Sequence, residues 1–326
     1  MAVPYEKPHL TYEEQIAKLV GRGLDVPDTA AAAEALKTIG YYRLSAYLHT
    51  FRPVDPNGAP GHDERLNAYV DGSTFDQVVA LWTFDRALRL VLLDGLEQFE
   101  ISLRTSLAYH AGKLDPFVHH LPGLLNEEFT AQPPTTQLDR LSAYDDWLMK
   151  YLERVESAKN EAFVKWFAHK YDSRLPIWVA IEIFEFGQTA RLVRGMPLSV
   201  RRSIAADFGF IETQKDFQSW VAALNGLRNV CAHHSRLWNR SLIAVGSRPK
   251  AGAIPELDHL RSLDDVARVK IYAPIAMLAW ILGRTEPGRQ WRARLLQVLD
   301  TFPSIPQGSL SNAGFPNDWK SLALWL

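Results

Sequence analysis

The chain is 326 residues long, 47% of them hydrophobic and 22% charged, and its formal net charge is −1. That composition is typical of a globular protein with a substantial core, and it excludes both a disordered chain and a general nucleic-acid coat, which needs a strongly basic surface. A single cysteine, Cys231, excludes an internal disulfide framework and a cysteine-rich zinc site.

Helical patterns dominate the first third of the chain. A Thr-x-x-Glu capping box predicts a short helix over residues 11–20, and AAAAEALKTI predicts a second over 30–39, followed by YYRLSAYLHTF. Residues 52–73 are rich in Pro, Gly and Asp and are predicted to form a loop. From 75 to about 110 apolar residues recur every three or four positions, which predicts one long amphipathic helix or two helices end to end.

The remainder of the chain is also helical in pattern. Residues 113–139 contain four prolines and predict a linker between two helical halves, 1–112 and 140–326, or a segment within one compact domain. His119 and His120 fall in this segment and are expected to be solvated. Further helices are predicted over 139–171, 177–194, 199–208, 216–234, 264–283 and 288–302, with a Gly/Pro loop at 244–263.

No segment shows convincing β alternation, so the predicted fold class is all-α, a multi-helix bundle with long helices and an irregular C-terminal tail. The tail, 303–326, carries Phe315, Trp319 and Trp325, which we expect to dock on the body. The N-terminus has no apolar signal region, and the longest apolar stretch, 271–282, is far shorter than the roughly 20 residues of a membrane span. We therefore expect a soluble, cytoplasmic protein.

The most informative segment is RNVCAHHSRLWNR, Arg228 to Arg240, which contains no acid; residues 217–255 as a whole contain none. RNA carries its own nucleophile, the 2′-hydroxyl. A protein that cleaves RNA without a metal therefore needs a group that moves a proton and a group that stabilises a phosphate. Histidine suits the first task and arginine the second. The segment thus predicts a site for an anionic partner, with His233 and Arg228 as its chemical groups.

Other interpretations of this segment stay open. On a helix Asn229 and His233 share a face and Arg228 lies beside it, yet Arg and His near a helix C-terminus also interact with the helix dipole and cover carbonyls without any chemistry. Cys231, His233 and His234 could be metal ligands, although neighbouring histidines on a helix point about 100° apart. Cys231 falls on the apolar stripe, which favours a buried and inert thiol over a nucleophile.

A second constellation lies on the long predicted helix, where Glu97, Glu100 and Arg104 are spaced by three and four and His110 follows six residues after Arg104. Glu100 and Arg104 could be an ordinary i,i+4 helix pair. The Arg-then-His order of RTSLAYH nevertheless makes Arg104 and His110 a candidate second half-site. Arg43 in YYRLSAY places a basic group beside aromatic side chains, a mixture that can bind RNA.

Several of these motifs together resemble the Abi-like proteins of the AbiD and AbiF type, abortive-infection proteins of the HEPN superfamily. The resemblance rests on segments spread over most of the chain: YYRLSAY, FDRALRLVLLDGLEQFEISLRT, LPIWVAIEIFEFG, LRNVCAHHSRLWNR and the terminal GFPNDW.

The resemblance implies an all-helical fold and an R-x4-6-H ribonuclease motif, carried here by Arg228 and His233 with Asn229 in the polar position after the arginine. It implies a homodimer that brings two motifs into one cleft, metal-independent cleavage and no cofactor. Glu97 or Glu100 would be a polar helper on an earlier helix. Supporting or RNA-binding roles fall to His234, Arg236, Asn239, Arg240 and Arg43.

The expected function is an endoribonuclease that acts as a toxin-like effector in phage defence, with RNA as its substrate and an antitoxin or noncoding RNA as a possible regulator. The alternative is an RNA-binding scaffold that recognises a structured noncoding RNA or a defence partner without cutting it. A metal-dependent hydrolase has little support in the sequence.

Overall fold

A computed structural model describes residue 4 and residues 6–57, 64–133, 141–171, 174–211 and 213–326. Its α-helices are α1 (Tyr12–Val20), α2 (Thr29–Ile39), α3 (Tyr41–Leu48), α4 (Phe75–Gly112), α5 (Glu127–Thr130), α6 (Ala143–Ser157), α7 (Ala162–Lys170), α8 (Ile177–Ala180), α9 (Phe186–Gly195), α10 (Leu198–Asp207), α11 (Gln214–Ala232), α12 (Asp265–Arg268), α13 (Tyr272–Leu282) and α14 (Glu286–Leu299). Short 3₁₀ turns join several of them, and the described residues contain isolated β-bridges but no strand. The all-α prediction is confirmed.

Helix α4 is the central helix of the fold. It is one continuous helix of 38 residues, opened by a capping box in which Thr74 and Gln77 bond each other's backbone N–H groups. Helices α3, α10, α11, α13 and α14 all pack against it. Buried apolar residues occur along the full length of α4. This burial explains why apolar residues recur every three or four positions from residue 75 to about residue 110.

The approach of α14 to α4 is fixed at a glycine. A Cβ atom on Gly95 would lie 2.4 Å from the Trp291 ring, closer than any real Cβ contact. The Trp291 indole N–H donates to the Val91 carbonyl at 2.6 Å, so the fully buried ring packs directly against one turn of α4. The missing side chain at position 95 therefore allows the two helices to touch.

Helix breaks are the main difference from the predictions. The pattern predicted over 139–171 is two helices, α6 and α7, with a turn in which the Glu161 N–H donates to the Ala158 carbonyl. The pattern over 177–194 is likewise divided, into α8, a 3₁₀ turn and α9. Amphipathic spacing continues through such breaks because both flanking helices face the same core, so the sequence shows no interruption.

The segment predicted as a linker, 113–139, is described as far as 133. It contains 3₁₀ turns at Val118–His120 and Pro122–Leu124 and the short helix α5, whose Phe129 packs on Gly195. His119 is fully buried among Trp147, Tyr151 and Phe184, so the expectation that it is solvated is wrong. Its aromatic neighbours are supplied by distant parts of the chain, and they cannot be recognised from the local sequence.

The C-terminal tail docks on the body as expected. Phe315, Trp319 and Trp325 are buried, and Phe315 and Trp325 pack against Tyr272 at the start of α13. The Trp325 indole N–H donates to the Tyr272 hydroxyl at 3.2 Å. These contacts close the core around α13, whose residues are almost all buried.

Candidate active site

The motif lies where α11 ends. The helix was predicted to run to His234 but stops at Ala232, with His233 as its C-cap; the His233 backbone N–H donates to the Asn229 carbonyl at 3.0 Å. His234 takes a left-handed conformation, φ 55°, which turns the chain away from the helix axis. His233 and His234 therefore leave the helix as an exposed corner.

The His233 imidazole is exposed, and no described group hydrogen-bonds to it. The His234 and Asn229 side chains are exposed as well. Their accessibility matters because a group that transfers a proton to or from a ligand must be reachable by that ligand.

Arg228 is held from the side by α4. Its Nε lies 3.8 Å from Oε2 of Glu100, which is buried, while the Arg228 side chain keeps 36% of its surface exposed. The other Glu100 oxygen accepts from Arg104 Nη2 at 2.5 Å, and the same Nη2 donates to the Phe184 carbonyl at 2.5 Å. Glu100 thus joins two arginines on two helices, and the predicted i,i+4 pair is part of a larger group.

Arg104 and His110 face different partners. The His110 Nε2 lies 2.9 Å from an Oδ2 of Asp207 on α10, and the Ser106 hydroxyl donates to the same oxygen at 2.6 Å. Arg104 and Arg228 are linked by Glu100, which contacts both of them. His110 contacts Asp207 instead and does not line the cleft that contains His233. Glu97 is exposed on α4.

The loop after the motif is anchored on a buried carboxylate. Asp85, on α4, is fully buried and accepts the backbone N–H of Trp238 at 2.6 Å and that of Leu237 at 3.1 Å. The Tyr47 hydroxyl donates to the same carboxylate at 2.6 Å, and Arg89 forms an ion pair with it. Every acceptor position of the Asp85 carboxylate is occupied, which is the condition for keeping a charge in a protein interior.

The network also fixes the protonation of its neighbours. Burial raises the pKa of Tyr47, and the adjacent Asp85 charge adds to that rise, so the phenol stays a hydrogen-bond donor. Burial raises the pKa of Cys231 to about 12, which keeps this thiol protonated and supports its interpretation as an inert core residue. The described residues contain no group of three or more His, Cys, Asp and Glu side chains placed to hold a metal ion.

Two of the predicted supporting residues complete the anchor. Arg236 donates to the carbonyl of Ala46 on α3, and Asn239, which has φ 55°, accepts from the Lys270 ammonium through its side-chain oxygen at 3.0 Å. Arg89 also donates to the Ser235 carbonyl at 3.3 Å. The structure therefore ties residues 235–239 to α3, to α4 and to Lys270, two residues before α13.

These contacts shape a cleft of about 740 Å³ between α3 and residues 233–240. Its lining includes three arginines and three histidines, and none of its described lining residues is an Asp or Glu; the cationic and imidazole side chains are those of Arg43, His49, His233, His234, Arg236 and Arg240. Arg43 and Arg240 are exposed. The cleft is thus suited to an anion.

His49 and Tyr42 also line this cleft, and sequence reasoning assigned neither of them a role. Both lie in YYRLSAYLHTF, where Tyr42 stands four residues before Ala46 and His49 three residues after it. This spacing places them along one stripe of α3 and the 3₁₀ turn that follows it, and that stripe faces the motif. A helical projection of that segment would have placed them together, but only the tertiary fold shows what they face.

A family model described as Abi-like protein matches residues 34–239. The matched part is well over half of the chain and contains α3, α4, α11 and the anchored loop. The chain belongs to the Abi-like protein family. Membership implies a part in abortive infection, a defence against phage.

The match covers every described residue that lines the cleft except Arg240, which lies one residue beyond its end. Comparison of this Abi-like chain with curated proteins and with solved structures gave no match. None of the helices in the described ranges combines the length and the apolar character that a membrane span requires.

Proposed function

We propose that this Abi-like protein is a metal-independent endoribonuclease of the HEPN type, which acts as a toxin-like effector in abortive infection. The observation that carries the proposal is the position of His233: an exposed imidazole in a cleft whose described lining contains three arginines and no carboxylate. Such surroundings attract the phosphates of RNA and leave the imidazole free to exchange a proton.

The roles follow from the chemistry of RNA. His233 acts as the general acid or base toward the 2′-hydroxyl or the leaving 5′-oxygen. Arg228, about one and a half helical turns earlier on α11, stabilises the negative charge that grows on the phosphate in the transition state. Asn229, exposed on the same turn as Arg228, orients the phosphate by hydrogen bonding. The attacking oxygen belongs to the substrate, so the products carry a 2′,3′-cyclic phosphate and a 5′-hydroxyl.

The active form proposed here is a homodimer in which two such motifs meet. Arg228 is directed toward Glu100, while His233 lies in the cleft beside α3, so one subunit presents the two groups on adjoining surfaces. A second copy supplies the other half of a two-motif site. An antitoxin or a noncoding RNA that occupies the basic cleft is the kind of regulator this arrangement accommodates.

The test is cleavage of RNA by purified protein in EDTA, with product ends identified by phosphatase and kinase treatment. His233→Ala and Arg228→Ala are each expected to lower the rate by about 100-fold or more. His169→Ala removes an exposed histidine on α7 and is the matched control. A folded His233→Ala protein that cleaves at the wild-type rate contradicts the proposal.

A second candidate function is an RNA-binding scaffold that does not cut. It is favoured by the ion pair that holds Arg228 against Glu100, because a guanidinium held by a carboxylate stabilises the fold whether or not a phosphate ever reaches it. The two functions separate cleanly. Tight RNA binding with no product at any protein concentration supports the scaffold, and product formation in EDTA supports the enzyme.

A further inference from the structure

Tyr42 is an aromatic side chain that the fold leaves in solvent. It is the second residue of α3, its exposure is 91%, and it lines the same cleft as His233. The neighbouring tyrosines behave differently: Tyr47 is buried on Asp85, and Tyr41 is half-buried against the core. Tyr42 therefore does not serve the packing of α3.

The ring lies on a stripe of α3 that faces the cleft. Ser45, Ala46 and His49 follow it at helical spacing, and all three line the cleft. Ser45 and Ala46 are small, and the Ser45 hydroxyl is turned back onto the Tyr42 carbonyl at 2.6 Å, so neither fills the space beside the ring. An open aromatic face thus borders a cleft of about 740 Å³.

The charged residues around the Tyr42 ring indicate which class of ligand the cleft binds. Arg43 follows Tyr42 directly, and Arg240 and His234 stand on the opposite wall, all of them exposed. A flat ring between exposed cations matches a nucleotide, whose base stacks on the ring while its phosphates meet the guanidinium groups. Bases inside a duplex are already stacked on each other, so only an unpaired base can take this position.

We propose that Tyr42 is a stacking platform for an unpaired nucleobase, and that the cleft binds single-stranded RNA with Arg43 and Arg240 on the flanking phosphates. This inference rests on the proposed function for the identity of the ligand as RNA, but it does not depend on cleavage. It assigns the cleft a preference for unpaired RNA and places one base beside His233.

The test measures binding to a fluorescent oligouridylate of roughly twelve nucleotides. Its riboses are 2′-O-methylated, so it lacks the attacking hydroxyl and stays intact whether or not the protein is a ribonuclease. Tyr42→Ala is expected to weaken binding about 5- to 100-fold, and Tyr42→Phe, which keeps the ring, by less than about twofold. Because the Tyr42 side chain is solvated, the variants should unfold at the wild-type temperature.

Tyr109→Ala is the matched control. Tyr109 is a second exposed tyrosine, with the Lys113 ammonium over its ring at 3.9 Å, but it stands on α4 outside the cleft. Its removal should leave binding unchanged. The same strand annealed to its complement should bind more weakly than the free strand and should show no dependence on Tyr42.

A series of single abasic positions in the strand gives a direct readout of stacking. At one position of the strand, removal of the base and Tyr42→Ala should have non-additive effects on the binding affinity, because both changes remove the same contact. Wild-type affinity of Tyr42→Ala, an equal loss in Tyr42→Phe, or an equal effect on duplex RNA overturns the inference. Loss of cleavage activity alone, with the Tyr42 dependence intact, counts against the ribonuclease and not against the platform.

Discussion

The Asp85 carboxylate accepts the backbone N–H of Trp238 at 2.6 Å, across 153 residues of chain. Through this bond and the bond from the Leu237 N–H, the first third of α4 holds the loop that follows the candidate motif. The corner at His233 and His234 lies between two fixed points, the last turn of α11 and this loop. The position of the imidazole is therefore set by a buried carboxylate that never reaches the cleft.

Asp85→Asn should destabilise the protein by about 3 kcal/mol. The substitution keeps the shape of the side chain but leaves the Arg89 guanidinium buried without its counter-charge, and losing one partner of a buried pair costs on the order of 3–5 kcal/mol. Equilibrium denaturation in urea measures the change. The control is Asp94→Asn, which changes another carboxylate of α4. It removes a half-exposed ion pair with Arg294 of α14 and should cost less than about 1 kcal/mol.

Glu100→Gln should lower the rate of RNA cleavage about tenfold. In the proposed mechanism Glu100 is a positioning residue, because its carboxylate oxygen lies 3.8 Å from the Arg228 Nε. In an Arg228→Ala background the same substitution should then have no further effect on the rate, since the group it positions is absent. Equal losses in the two backgrounds would show that Glu100 acts through the fold alone.

Gly95→Ala and Gly226→Ala should have opposite effects on stability. Both glycines lie inside helices, where alanine is favoured by about 1 kcal/mol. A Cβ at position 95 meets the Trp291 ring and should cost a net 1–3 kcal/mol or so, because the buried indole cannot move aside. A Cβ at position 226 comes no closer than 3.8 Å to the side chain of Ala244, so that variant should gain stability. Thermal denaturation of the pair provides the comparison.

His119 should make the protein sensitive to mild acid. Burial, with a smaller contribution from the charge of His120, lowers the pKa of His119 to about 3 from its ordinary 6.5. Between pH 6.5 and pH 3, His119 is therefore protonated in the unfolded chain but neutral in the folded one. The free energy of unfolding should fall as the pH drops through that window. The expected loss is about 2 kcal/mol between pH 7 and pH 5.

His119→Phe tests this account. The variant keeps an aromatic ring in the cluster and removes two buried ring nitrogens that have no described partner, so its stability should change less between pH 7 and pH 5. His169→Gln alters an exposed histidine and should retain the wild-type pH dependence. If the stability of His119→Phe depended on pH as the wild type does, His119 would not be the group that causes the acid sensitivity.

A homodimer should be visible at working concentration. Light scattering is expected to give about twice the 36.9 kDa of the chain, and the specific cleavage rate should decline on dilution as subunits separate. A monomer with full activity would mean that one subunit holds a complete site. Arg104→Ala and His110→Ala would then show whether the second half-site lies on α4.

The sequence was most informative where one element determines its own shape. The span of helix α4 was predicted from its apolar spacing, which is a local signal, although the same spacing left open whether one helix or two fill residues 75–110. The importance of RNVCAHHSRLWNR was likewise visible from its residue types and from the absence of acids around it.

The relationships that build the site could not be predicted in this way. Asp85 and Arg89 look like ordinary charges on an amphipathic helix, and only the fold shows that they face Trp238. Tyr42 could not be distinguished from its buried neighbour Tyr47, since burial depends on which helix covers α3. Local spacing predicts faces of helices, whereas the partner of each face is a property of the whole chain.

The long separation between acceptor and donors in the Asp85 network has a consequence for synthesis. A growing chain that stops before residue 237 already contains the arginine and the histidine, but it lacks the two N–H groups that hold their corner in place. The cleft assembles only after the loop has emerged and folded back onto α4. For the ribonuclease proposed above, incomplete chains should therefore be inactive.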